Sequence, residues 1–434
     1  MWRTKVLAIL LTAGALWAEV PKVLAVRGAK IYTGTGAVIE RGNVVVRDGL
    51  VEAAGANAAI PPDAWIIEGV GLTVYPGFTN TMSTWGVPRS TSAQEPATPR
   101  GRGAAPAGPV ARGPEDRPAN TAWITGVELV QSGDASIAQA RDAGFTSAVV
   151  FPTSGIFAGH GSWINLAGDK PGQMLVASPL GQSLSVRTSG FTSFPGSLMG
   201  AFAYIRQVYL DADHYQAAKE LYAKSPRGMK RVEYDRALEG VLASSRVMLP
   251  AASRVELERM ARFGAELKRN VVLYGGHDAA RAIEAIKASG FSVLVSLQFP
   301  EKPKEANPDV RDSVRTLELR EAAPAAAAAL QKAGVKFAFY SGGIEKPSEL
   351  RAALKKAIDA GLSREDAVRA LTLSAAEIYG VADRVGSLEP GKIANLTVVD
   401  GDWFQERSKV KAVIVDGVKY EPAPVEAKKE EAAK

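Results

Sequence analysis

Val74-Tyr75-Pro76-Gly77-Phe78-Thr79-Asn80-Thr81-Met82-Ser83-Thr84-Trp85-Gly86 is the stretch at which the chain changes texture. Its first seven residues read as a short, largely apolar strand of the kind buried on both faces. On its amino side lie strand-like runs at 23–26, 29–32, 44–47, 51–54 and 65–67, separated by turns. Asp48-Gly49 between two of them is a hairpin signal, because a two-residue turn of this type needs positive φ at both positions. On its carboxyl side, apolar runs at 147–152, 247–250, 271–274, 293–297 and 336–340 alternate with helical segments. That alternation predicts βα units around a parallel sheet. After Gly380 strands return at 395–399 and 410–415, followed by the turn Asp416-Gly417. The expected organisation is a β-domain composed of 19–75 with 385–421, flanking a central unit over 76–384.

The 434 residues are 46% hydrophobic and 23% charged, enough for a large core and an accessory domain. The net charge of +6 comes from 52 basic against 46 acidic residues, with no basic face interleaved with aromatics. Nucleic acid is therefore not an expected partner. Met1-Trp2-Arg3-Thr4-Lys5 and the apolar run 6–17 have the layout of a secretory signal, ending at Ala18 or alternatively at Ala15. Residues 1–18 are thus read as a signal peptide and the protein as periplasmic or secreted. No integral membrane segment is expected, since that apolar run is too short to span a bilayer. The absence of cysteine excludes disulfides, thiolate metal sites and a cysteine nucleophile.

Residues 90–120 are crowded with Pro, Gly and Ala and predict a disordered insertion, as does the Ala/Glu/Lys-rich tail 422–434. Two late helices are expected, 348–360 and 363–379, each opened by a serine cap, with Ser363 and Asp366 as a capping pair. Gly361 and Gly380 supply the stops. Gly34-Thr35-Gly36 is not a dinucleotide fingerprint, because Ile39 stands where the third glycine belongs and no helical pattern follows.

Three blocks resemble the amidohydrolase superfamily, in particular imidazolonepropionase-like and related exported members. The first is the hairpin-rich start ending in Val74-Tyr75-Pro76-Gly77-Phe78. The second is Leu371-Thr372-Leu373-Ser374-Ala375-Ala376-Glu377-Ile378-Tyr379-Gly380, which runs on through Gly391-Lys392-Ile393-Ala394-Asn395-Leu396 with Asn395 where the family has Asp. The third is Gly334-Val335-Lys336-Phe337-Ala338-Phe339-Tyr340-Ser341-Gly342-Gly343, similar to the family's last barrel strand. The resemblance implies an α/β fold, a (β/α)8 TIM-like barrel with a composite β-sandwich domain built from both chain ends. It also implies hydrolysis of carbon–nitrogen bonds by zinc or another divalent metal that lowers the pKa of water.

The family's opening strand carries His-x-His, and the two positions here are Met82 and Thr84. A two-residue spacing on a strand points both imidazoles to one side. A thioether and a neutral hydroxyl are poor substitutes for a divalent metal. The metal-binding aspartate of the last strand is replaced by Gly342, and only His160, His214 and His277 exist in the whole chain. No metal cofactor is expected, and the reading is an exported, metal-depleted amidohydrolase-like protein, inactive or altered, with a binding or scaffolding role. An active relative or a second copy of the chain is the expected partner, with a small molecule as an alternative ligand.

Two other functions compete. One is a hydrolase of amide, cyclic amide or dipeptide bonds using a non-standard site at His160 and His277, which follow apparent strands. The other is a periplasmic small-ligand binding protein. His214 reads as helix surface beside Asp211, with Asp213 pointing elsewhere, and Glu301 and Glu345 follow strands without an identifiable partner. Ser162 is not a nucleophile elbow, lacking a glycine two residues later. Met82, Ser83 and Trp85 are expected to fill the mouth of the barrel.

Overall fold

The computed structural model describes residues 22–88, 112–188, 193–302 and 311–423. The segment 1–18 expected to be a signal peptide, most of the insertion and most of the tail lie outside them. In chain order the strands are Val23–Tyr32 (β1), Val38–Arg47 (β2), Leu50–Gly55 (β3), Trp65–Glu68 (β4), Leu72–Pro76 (β5), Phe78–Ser83 (β6), Phe145–Val150 (β7), Phe157–His160 (β8) and Ser162–Asn165 (β9). They continue with Leu175–Ala177 (β10), Gln182–Leu184 (β11), Arg246–Ala251 (β12), Asn270–Gly275 (β13), Ser292–Ser296 (β14), Phe337–Tyr340 (β15), Leu396–Asp400 (β16), Lys409–Val415 (β17) and Val418–Tyr420 (β18).

Both ends of the chain meet in one eight-stranded sheet, ordered β18-β17-β16-β5-β1-β2-β3, with β4 also paired to β1. The join is the antiparallel pair β5–β16, in which Val74 faces Val398. Asp48 and Gly49 have φ of 50° and 80°, and Asp416 and Gly417 have 51° and 78°, so both expected hairpin turns form. The two turns abut. A Cβ on Gly417 would stand 2.6 Å from the Gly49 Cα, which only glycine tolerates.

Gly77 splits the strand expected at 74–80: β5 belongs to the flanking sheet and β6 begins the central one. A Cβ at Gly77 would lie 2.0 Å from Thr146 Oγ1, so the two sheets approach there as no other residue permits. The central strands form a four-stranded sheet, β10-β9-β7-β6, and a six-stranded one, β15-β14-β13-β12-β11-β8. β11 through β15 run parallel, as do β6 and β7. The fold is therefore mixed α/β.

Strand pairing does not close these sheets into a ring. β6 and β15 are bridged by side chains: Thr81 Oγ1 donates to Phe339 O at 2.7 Å, and Asn80 bonds Ser341. Nor are all strands parallel, since β8, β9 and β10 run antiparallel to their neighbours. The reason is connection length. In the four-stranded sheet only residues 151–161 lie between the paired β7 and β9 and only 166–174 between β9 and β10, whereas a parallel crossover needs a dozen residues or more.

Successive central strands send Val149, Met248, Val272, Leu294 and Ala338 into one apolar cluster with Trp163 and Tyr379. Each fully buried apolar side chain of this size is worth about 1.5–3 kcal/mol. Met82, Tyr274 and Tyr340 pack against the same cluster.

Three expectations are corrected. Residues 112–120 of the insertion are ordered: they carry the turn Pro114–Asp116, Ala119 O accepts from Ile156 N, and Tyr204 donates to Pro118 O. The helix expected over 348–360 starts instead with a 3-10 turn at Pro347–Glu349 and continues as Leu350–Asp359, with no serine cap, because Pro347 opens the turn. The helix at 363–379 is capped by Ser363 but breaks at Thr372, whose hydroxyl bonds Val368 O at 2.7 Å, giving Arg364–Leu371 and Leu373–Tyr379.

Candidate active site at the carboxyl ends of the parallel strands

Ligands of α/β sheets bind outside the carboxyl ends of the parallel strands, and this is where β6, β13, β14 and β15 bring side chains together. β6 opposes β7 with Asn80 facing Ala148 and Ser83 facing Val150. Three residues on one strand thus match two on the other, and this bulge shifts the pleat at Met82. The strand ends at Ser83. Thr84 is exposed in a turn whose carbonyl accepts from Val87 N. The positions corresponding to His-x-His therefore do not share a strand face, and Met82 alone turns into the apolar cluster. Trp85 is not among the filling residues: it is buried edge-on to Phe145, 5.2 Å between rings, in the larger apolar core.

Asn80 is buried and fixes the end of β15. Its Nδ2 donates to Ser341 Oγ and its Oδ1 accepts from Ser341 N, both at 3.0 Å. This pair was not anticipated, and its only sequence signal is a polar residue within an apolar strand. Immediately after it, Gly342 has φ of 67°. A Cβ there would lie 1.9 Å from Ser296 Oγ. Ser296 is itself buried, its hydroxyl accepting from Gln298 N at 3.2 Å. A side chain at 342 meets both an unfavourable backbone and an occupied space.

Tyr274 and Tyr340 pack edge-on, 6.4 Å apart, beside Met82. Burial raises the pKa of both, that of Tyr340 to about 12, opposed by its hydrogen bond to Ser296. Both phenols are neutral at ordinary pH.

The structure does not bring His160 and His277 together. His160 is fully buried in β8, opposite Gln182 of β11, with Nε2 2.6 Å from Gly240 O in the helix Arg236–Leu242. Burial lowers its pKa against the opposing backbone bonds of Gly240 and Gly181. It is a core histidine whose Nε2 is paired, while its buried Nδ1 makes no hydrogen bond of good geometry. His277 lies two residues past β13, with its ring 6.3 Å from Phe299. Burial lowers its pKa, opposed by backbone bonds at Ser296 and Gln298, and its buried Nε2 has no hydrogen-bond partner. Thus His277 and Gly342 both converge on Ser296, but through the Ser296 backbone and side chain respectively. No His–Ser dyad is formed among the described residues.

His214 is exposed on the helix Leu198–Lys224, Asp211 accepts from Gln207, and Asp213 pairs with Arg269. Glu301 pairs with Lys356, and Glu345 is exposed. Among the described residues no three His, Cys, Asp or Glu side chains cluster to hold a metal ion. The donors at Met82, Thr84 and Gly342 do not fit the divalent metal that an amidohydrolase would carry there.

The sequence profile of the amidohydrolase family matches residues 251–419. Among solved structures, an amidohydrolase from Thermotoga maritima MSB8 is similar over 92% of this chain and all of its own, with a TM-score of 0.74 and 24% identity. Phenylurea hydrolase B is similar over 92% of this chain and 96% of its own, with a TM-score of 0.52 and 16% identity. Adenine deaminase 1 of Desulfotalea psychrophila is 40% identical over 65 residues, which is 15% of this chain. That match spans about a tenth of the curated relative's length, 10%. The chain thus resembles the amidohydrolase superfamily in the profile of residues 251–419 and in its fold, with the metal-binding motif of that family degenerate at Met82, Thr84 and Gly342.

Proposed function

We propose that this is an exported amidohydrolase-superfamily protein that no longer performs metal-dependent hydrolysis and acts as a binding or scaffolding subunit. In this reading the central strands are the staves of a (β/α)8 TIM-like barrel whose mouth is filled, and the flanking sheet is its composite β-sandwich domain. The observation that carries it is Gly342, where neither φ nor the position of Ser296 Oγ leaves room for an aspartate. The bulge at Met82 and the exposed turn at Thr84 act in the same direction at the other side of the site. The partner is an active relative or a second copy of the chain.

The test is turnover by the purified full chain. Amides, lactams, dipeptides and ureas are offered with Zn, Mn, Fe or Ni, and no metal-dependent hydrolysis is expected. Hydrolysis that requires the metal overturns the proposal. A second reading, a carbon–nitrogen hydrolase with a rebuilt site, is favoured by the buried, unpartnered Nε2 of His277. It requires metal-independent turnover that is lost in His277→Asn.

A further inference from the structure

A cavity of about 500 Å³ opens at the amino ends of the parallel strands, the face opposite to the one described above. Arg246, Asn270 and Ser292, the first residues of β12, β13 and β14, line it together with Lys287, Lys336 and Glu377. Three cations thus face one carboxylate. That carboxylate is already engaged, since Glu377 pairs with Lys336 at 3.0 Å and with Arg369 at 2.8 Å.

Arg246 has no carboxylate partner among the described residues. Its Nη1 donates to Leu180 O at 2.7 Å, its guanidinium lies 5.9 Å from the centre of the Tyr379 ring, and its buried Nε bonds nothing. Burial holds its pKa below the ordinary arginine value. A partly buried cation without a counter-charge is costly, and a bound anion relieves that cost. A guanidinium edge is also suited to two parallel hydrogen bonds from a carboxylate or phosphate.

We propose that this cavity is a binding site for a small oxyanion, a carboxylate or phosphate group held by Arg246 with Lys287 at the rim. Its size suits a ligand of a few to some tens of atoms. Calorimetric titration of the full chain with inorganic phosphate and, separately, with succinate tests it, chloride holding the ionic strength constant. Saturable binding of at least one is expected, and whichever binds identifies the anion class. Arg246→Lys, which keeps the charge and loses the fork, should weaken binding about tenfold or more. Lys287→Glu changes an exposed side chain that leaves the fold intact, and should weaken it several-fold. Failure of both anions to saturate the wild-type chain, or unchanged affinity in both variants, overturns the proposal.

Discussion

Restoring the absent aspartate by Gly342→Asp should destabilise the protein rather than create a metal ligand. At φ 67° a residue with a side chain costs about 1–2 kcal/mol, towards the lower end for Asp, which visits this region more readily than most. The larger cost is steric: the new Cβ falls 1.9 Å from Ser296 Oγ, which must swing away. Doing so forfeits the bond that Gln298 N makes to that hydroxyl and leaves a polar group inside, about 1–3 kcal/mol. The sum is roughly 2–5 kcal/mol, a large part of the 5–15 kcal/mol by which domains are stable. Gly342→Ala carries the same steric cost and a somewhat larger backbone cost without the charge, and so separates the charge from the space. Urea unfolding of the three proteins at one pH reads the difference. Both variants within about 0.5 kcal/mol of the wild type, the range of an unremarkable surface change, would refute the account of position 342.

Met82→His/Thr84→His should not gain a tight divalent site, because the bulge and the exposed turn keep the two side chains off a common face; zinc titration checks this, and submicromolar binding would count against it. Asn395→Asp should cost about 2–4 kcal/mol, since Nδ2 donates to Ser147 Oγ and Asn165 Oδ1, and a carboxylate cannot. Asp416, itself held above its ordinary pKa by burial, bonds the same Asn165, so the penalty should shrink as pH falls and the new carboxyl protonates, measured as the difference from wild type across pH. His160 and His277 both have folded pKa values below 6.5, so below that pH the unfolded chain binds more protons than the folded one. Their contribution is complete above pH 6.5 and is lost as pH falls towards the folded values, with a slope of at most about 2.7 kcal/mol per pH unit for two protons. His160→Gln, which can still donate to Gly240 O, should flatten that slope, read by unfolding between pH 5 and 8; an unchanged slope would contradict the buried neutral histidine.

The architecture was legible where residues carry local signals. The turns at Asp48-Gly49 and Asp416-Gly417, the Ser363 cap and the apolar runs of β12 to β15 all form as read. The antiparallel run β8 to β10 was not, because strands of three or four residues around Gly159, Gly161 and Gly168 have no periodicity to read. The loss of ligands at Met82, Thr84 and Gly342 was visible as residue identity. What the sequence could not show is that the space and the pleat had also changed, since both depend on Ser296 and on the β6–β7 register, distant along the chain. His160, expected after an apparent strand as part of a non-standard site, is a core residue because β8 and β11 pair around it.

The central claim concerns metal, and the most direct measurement is the metal content of the purified full chain. After incubation with excess Zn, Mn, Fe or Ni and exhaustive dialysis, elemental analysis should find far less than one equivalent per chain. One tightly retained equivalent, lost on replacing His277 or Met82, would contradict the account.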